Sequence, residues 1–227
     1  MASPRRFSKG VTNVGPGEAL ANLPTMDPKK VHMEFYDFDT YTVGDWTFTD
    51  NGVDPALIAG DGGWLNFTTS ATENKSLFLQ KPIINFYLEA DKQAWFGMRV
   101  IMEDITENEF FFGLSAIDTD PIASNVDAVG FVTDDADDYV DFKVVNTSIV
   151  RASIVAVGTM VDTTWAEYEW YFDGIDTFHI YIDKVWTAKA STPDFPTAGM
   201  SLNFGIISGA AATKYMKVDW LYAAKER

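Results

Sequence analysis

The sequence predicts an all-β protein, one antiparallel β-sandwich or jelly roll with an extended N-terminal arm. Three observations predict it. Aromatic residues make up 15% of the chain, with 17 Phe, 9 Tyr and 7 Trp, and large rings pack well on a pleated surface. Turn signals recur between short apolar runs from residue 34 to the C-terminus, the spacing of a sandwich or barrel. No segment carries a long helical period. A length of 227 residues suits one large β domain.

Residues 1–33 read as a docking arm rather than as part of the body. They hold Pro4, Gly10, Gly15, Pro16, Gly17, Pro24 and Pro28, a density that breaks helices and strands alike. They also hold Arg5, Arg6, Lys9, Lys29 and Lys30 against only Glu18 and Asp27, so a basic arm precedes an acidic body. Residues 17–23 have the composition of a single helical turn, and the rest is expected to be extended until bound. The residues expected to touch a partner are Arg5, Arg6, Phe7, Lys9, Val11, Leu20, Leu23, Lys29 and Lys30. An arm of this kind can lie along a neighbour and donate backbone hydrogen bonds to a sheet edge.

Residues 34–227 read as about a dozen short strands. The first is expected near 32–38 and the second over 44–49, closed by the tight-turn pair Asn51-Gly52. Runs at 56–59, 64–69, 76–80 and 83–87 follow, the second opened by Asp61-Gly62-Gly63. The middle of the chain is clearer. Residues 94–102 form a long strand with one apolar face, paired with 107–115. Residues 129–133 precede an acidic tip, Asp134-Asp135-Ala136-Asp137-Asp138, and 139–145 alternate strictly, as a half-buried strand does. Strands at 149–157, 165–172, 177–182, 185–188, 200–207 and 215–222 complete the set, with Asp173-Gly174 and Asp183-Lys184 as turns.

Composition excludes several functions. There is no cysteine, so disulfides, zinc–thiolate sites and thiol nucleophiles are ruled out. The net charge of -16 argues against phosphate-backbone binding by the body, and no nucleic-acid partner is expected. The start Met1-Ala2-Ser3-Pro4-Arg5-Arg6 lacks the apolar run of a signal peptide, and no segment reaches membrane-spanning length. No membrane partner is expected. Two histidines, His32 and His179, supply neither a triad nor a metal pair, and parity puts His179 on the wetter face of its strand.

Two sets of residues bear on sugars. Glu167 and Glu169 fall on one face of a strand, with Asp173 beyond them. Glycosidases need two carboxylates at a set separation, and jelly-roll glycosidases carry acids at the first, third and sixth positions of a strand motif. Here the positions are first, third and seventh, so no catalytic residue is assigned and the chain is expected not to be an enzyme. Trp46, Trp64 and Trp186 are the candidate glycan-stacking residues. The acidic tip lacks the glycine-centred spacing of a calcium loop, so no metal and no cofactor is expected.

Several segments carry resemblances. Trp95-Phe96-Gly97-Met98-Arg99-Val100, Tyr171-Phe172-Asp173-Gly174, Phe178-His179-Ile180-Tyr181-Ile182-Asp183 and Met216-Lys217-Val218-Asp219-Trp220-Leu221 resemble the concanavalin A-like jelly roll of laminin G and lectin-type domains. Arg5-Arg6-Phe7-Ser8-Lys9-Gly10-Val11-Thr12-Asn13-Val14, Asp27-Pro28-Lys29-Lys30-Val31-His32, Phe35-Tyr36-Asp37-Phe38-Asp39 and Ala223-Ala224-Lys225-Glu226-Arg227 are similar to virion structural proteins of tailed bacteriophages. That second resemblance implies a capsid decoration or cement protein on the virion exterior, assembled in the host cytoplasm. Its expected partners are the major capsid protein or other virion proteins, and sister copies in a homo-oligomer such as a trimer. The alternative is a lectin-like carbohydrate-binding module, displayed on the virion or tail.

Overall fold

The computed structural model describes residues 29–49, 53–118, 121–122, 126–134 and 137–227. Fifteen strands and one short 3-10 turn (Val43–Asp45) make up its regular structure. In chain order they are β1 (Val31–Tyr36), β2 (Thr47–Thr49), β3 (Val53–Ile58), β4 (Trp64–Thr68) and β5 (Ser76–Gln80). The central strands are β6 (Ala94–Met102), β7 (Asn108–Ser115), β8 (Ala128–Thr133), β9 (Tyr139–Asn146) and β10 (Ile149–Thr159). The last are β11 (Ala166–Phe172), β12 (Thr177–Ile182), β13 (Val185–Ser191), β14 (Ser201–Ser208) and β15 (Tyr215–Glu226).

All pairings are antiparallel, and they form two sheets. One has seven strands in the order β10-β9-β8-β7-β14-β5-β2. The other has eight, in the order β13-β12-β11-β6-β15-β4-β3, with β1 also paired to β15. β15 has β6 on one side along its length, and on the other side first β4 (from Tyr215) and then β1 (to Glu226). The handover falls at a register shift between Val218 and Trp220, where Asp219 is the extra residue. A bulge of this kind re-aims a side chain, and Asp219 is hydrogen-bonded to the Arg99 guanidinium.

The core lies between the inner faces of the two sheets. Period-two alternation sets it: in β11, Tyr168, Trp170 and Phe172 are buried while the residues between them are not. Phe112 of β7 meets Phe131 of β8 at 5.4 Å and Tyr168 of the opposite sheet at 5.3 Å. Such aromatic contacts lock the sheets at a fixed separation. One end of the sandwich is closed by Lys214, whose Nζ lies 2.7 Å from Asp104 and 3.0 Å from Glu107. The Lys214 hydrogen bond holds the Asp104 carboxyl below its ordinary range.

Three expectations are corrected. Residues 83–87 are not a strand; only Phe86 bridges to Met200. Pro82 has no N–H to donate to a ladder, and Ile83 is 68% exposed. The strand expected over 44–49 is shorter, because Asp45 and Trp46 donate back to Thr42 and Val43 as a 3-10 turn before β2 begins. The final strand runs on to Glu226, since β1 supplies a second partner for its distal half. β1 itself starts at Val31, which is buried, so pairing in the body reaches back into the segment read as arm.

Candidate functional site

The outer face of the eight-strand sheet gathers side chains from six strands. Cross-strand partners in register point to the same side of a sheet. Trp186 pairs Tyr181, Tyr181 pairs Glu169, Glu169 pairs Gly97, Gly97 pairs Tyr222, and Tyr222 pairs Phe35. The result is one row across β13, β12, β11, β6, β15 and β1, spanning roughly 24 Å at the usual interstrand spacing. A second row lies beside it: His179 pairs Tyr171, and Tyr171 pairs Trp95. These rings are stacked, with centroids 5.7 Å apart for both Tyr171–Trp95 and Tyr171–His179.

Gly97 lets the Tyr222 ring lie over the backbone at the centre of this face. A Cβ there would sit 2.4 Å from Tyr222 Cε1 and 3.1 Å from Glu169 Cγ. With no side chain in the way, Tyr222 lies across the strand and its Oη donates to Glu169 Oε1 at 2.9 Å. Burial first, and then the Glu169 carboxylate, raise the Tyr222 phenol above its ordinary pKa, so it stays a donor. Beside it is a hollow of about 460 Å³ lined by Gln93, Trp95, Glu169, Trp170, Tyr171, Tyr181 and Tyr222. Gln93 Nε2 donates to Tyr171 Oη at 2.6 Å, and its backbone N–H donates to Glu226 Oε2 at 2.9 Å. Burial, then Asp173 and Glu226, raise the Tyr171 phenol in turn.

A polar end flanks the hollow. Glu167 pairs Arg99 across the strands, and Arg99 also lies 4.9 Å from the Trp165 ring. Trp165 in turn meets Trp64 at 5.2 Å. Glu167 has Lys184 Nζ at 3.3 Å from Oε2. Two residues apart on one strand, Glu167 and Glu169 share a face and stand about 6.6 Å apart at the backbone.

The structure sorts the sequence candidates. Trp186 is 54% exposed and stands at the end of the aromatic row. Trp64 is half-buried against Trp165. Trp46 is corrected: it is 8% exposed, with its ring edge-on to Phe204 at 5.4 Å, so it belongs to the core and offers no surface for stacking. The short 3-10 turn before it swings its ring inward. Asp173 does not join the carboxylates of β11, because its Oδ1 accepts from the backbone N–H groups of Ile175, Asp176 and Thr177 and so shapes the turn. His179 stands on the outer face as its parity predicts. His32 packs on Phe86 at 5.1 Å, and burial lowers its pKa. Of the arm residues, Lys29 and Lys30 form the turn before β1; Arg5, Arg6, Phe7, Lys9, Val11, Leu20 and Leu23 lie outside the described residues. Sequence reasoning missed Gly97, Trp95, Tyr171, Tyr181 and Tyr222 as a site. Their shared outward parity was a signal, but the pairing that brings them together was not visible.

No family model matches the chain, and no curated protein matches it. Solved structures do. A protein of unknown function from Shewanella oneidensis MR-1 is similar at TM-score 0.65 and 15% identity, over 91% of each chain. A prokaryotic β-1,3-1,4-glucanase (lichenase) derived from a mouse hindgut metagenome is similar at TM-score 0.62 and 14% identity, over 84% of this chain and 98% of the other. An endo-β-1,4-glucuronan lyase from the fungus Trichoderma reesei is similar at TM-score 0.59 and 9% identity, over 84% and 94%. At these identities the likeness is one of fold. The fold is the all-β, concanavalin A-like jelly-roll sandwich, and it is shared with carbohydrate-active enzymes. Nothing in these likenesses shows a phage or capsid origin.

The expectation that the chain is not an enzyme is therefore corrected. It rested on motif spacing along one strand, whereas chains of this same fold include a glucanase and a lyase.

Proposed function

We propose that this chain is a carbohydrate-active protein that lays a polysaccharide across the outer face of its eight-strand sheet. The observation that carries the reading is the row formed by Trp186, Tyr181, Glu169, Gly97, Tyr222 and Phe35. Four of these six are aromatic, and the two at its ends are each 54% exposed. A contiguous exposed apolar strip of this kind marks a binding surface. Sugar rings present C–H faces to aromatic rings and hydroxyls to a carboxylate, and this row offers both. The fold it shares with a β-1,3-1,4-glucanase supports a glucan as the first ligand to try.

Calorimetric titration of the full chain with β-1,3-1,4-glucan oligosaccharides tests the reading. Trp186→Ala and Tyr181→Ala are each expected to weaken binding about tenfold, the scale of one lost stacking contact. Undiminished binding by both variants would overturn it, and no binding by the parent chain would overturn the choice of a glucan. Reducing ends released from the same glucan, and lost in Glu167→Gln, would assign the Glu167 and Glu169 pair to hydrolysis.

We propose further that the module is carried on a tailed-phage particle. The support is the basic composition of residues 1–33 beside an acidic body, together with the whole-chain resemblance described above. Its partner is then the major capsid protein or another virion protein, with sister copies beside it on the capsid exterior. Quantitative mass spectrometry of purified particles is expected to find many copies in simple ratio to the major shell protein. Absence from particles would end this second reading without touching the first.

A further inference from the structure

The central hollow is lined by aromatic side chains around a carboxylate that no cation pairs. Trp95, Tyr171, Tyr181 and Tyr222 surround Glu169. Glu169 accepts from Tyr222 Oη, and among the described residues no Lys or Arg lies within ion-pair distance of it. Three basic side chains around the face are committed elsewhere: Arg99 to Asp219, Lys184 to Glu167, and Lys225 Nζ to Glu89 at 3.1 Å; Lys189, exposed and in register with His179, stands on β13, two strands away from Glu169. Glu226 sits beside the hollow, held by the Gln93 backbone N–H, and adds to the negative potential. The whole chain carries a net charge of -16.

Aromatic rings around a carboxylate are the chemistry that recognises an ammonium ion, because the ring faces and the carboxylate attract the same charge. A uronate chain would bring negative charge into a box with no cation to receive it, at a cost in desolvation and repulsion. From this geometry we infer that the hollow takes an amino sugar, with the ammonium group of a glucosamine unit seated against Glu169 and the polysaccharide running along the row. The inference deepens the glycan reading above and rests on it.

The test titrates the full chain, at a pH where the amine is protonated, with three hexasaccharides: β-1,4-linked glucosamine, its fully N-acetylated counterpart, and a β-1,3-1,4-linked glucan. The amino form is expected to bind about tenfold more tightly than the N-acetylated form, the scale of a partly desolvated cation–π contact. Glu169→Gln keeps the shape and a hydrogen-bond acceptor but removes the charge, and it is expected to make the two bind equally. A preference that survives in Glu169→Gln would overturn the inference, since it would belong to the diffuse charge of the whole chain. Glucan binding with no gain from the amine would overturn it too, while leaving the glycan reading intact. Failure of all three sugars to bind would overturn both.

Discussion

Phe112→Ala is expected to lower stability by about 3–5 kcal/mol, a large share of a typical domain's total. Phe112 is fully buried. Its ring stacks on Phe110 at 4.9 Å, meets Phe131 at 5.4 Å and crosses the sandwich to Tyr168 at 5.3 Å. Truncation removes the transfer free energy of the ring and leaves a cavity whose walls are strands held by two ladders each, so collapse around it is limited. Phe112 sits between Phe131 and Phe204 in register, in the middle of its sheet. The expected fall in the thermal midpoint is about 10 °C for a chain of this size. Thermal unfolding of the two proteins side by side measures it. A loss under about 1 kcal/mol would mean that the two sheets do not meet at this ring.

Gly97→Ala is expected to have the largest effect on the site. The added Cβ would fall 2.4 Å from Tyr222 Cε1, closer than carbon atoms approach. Either Tyr222 swings off the face or the strands part, and the first is easier because Tyr222 is only half-buried. In that position its hydroxyl no longer reaches Glu169. Glycan affinity is then expected to drop at least about tenfold, since Tyr222, one wall of the hollow, has moved. Stability is expected to fall by only about 1 kcal/mol, the scale of one lost hydrogen bond and a shifted ring. Tyr222→Phe separates the causes: it removes the hydrogen bond and leaves the ring in place. Titration of both variants against the same oligosaccharide decides the matter, and unchanged affinity in Gly97→Ala would place the sugar elsewhere.

Much of the local architecture was legible in the sequence. Alternation along residues 139–145 marked a half-buried strand and residues 165–172 were read as another, and the structure has them as β9 and β11. Glu167 and Glu169 were read on one face, and His179 on the wetter side; the ladders place them so. Asp173-Gly174 was read as a turn, and Gly174 takes a φ of +83° there, which a glycine adopts without strain. Errors clustered where local pattern and tertiary demand disagree. The 83–87 run is apolar but forms only one bridge, and the Trp46 ring turns into the core from a short 3-10 turn.

The sequence by itself determined the fold class and the face on which Glu167, Glu169 and His179 stand, because side chains on a pleated strand alternate with a period fixed by covalent geometry. It could not determine the row. Phe35, Gly97, Glu169, Tyr181, Trp186 and Tyr222 meet only through antiparallel ladders between segments far apart in the chain. Their register depends on which strands pair and on the bulge at Asp219, which shifts β15 against β6 by one residue. The bare backbone at Gly97 likewise matters only when Tyr222 is brought to lie across it beside Glu169. Tertiary structure decided the site because long-range pairing, unlike strand parity, is settled by the packing of the whole sandwich.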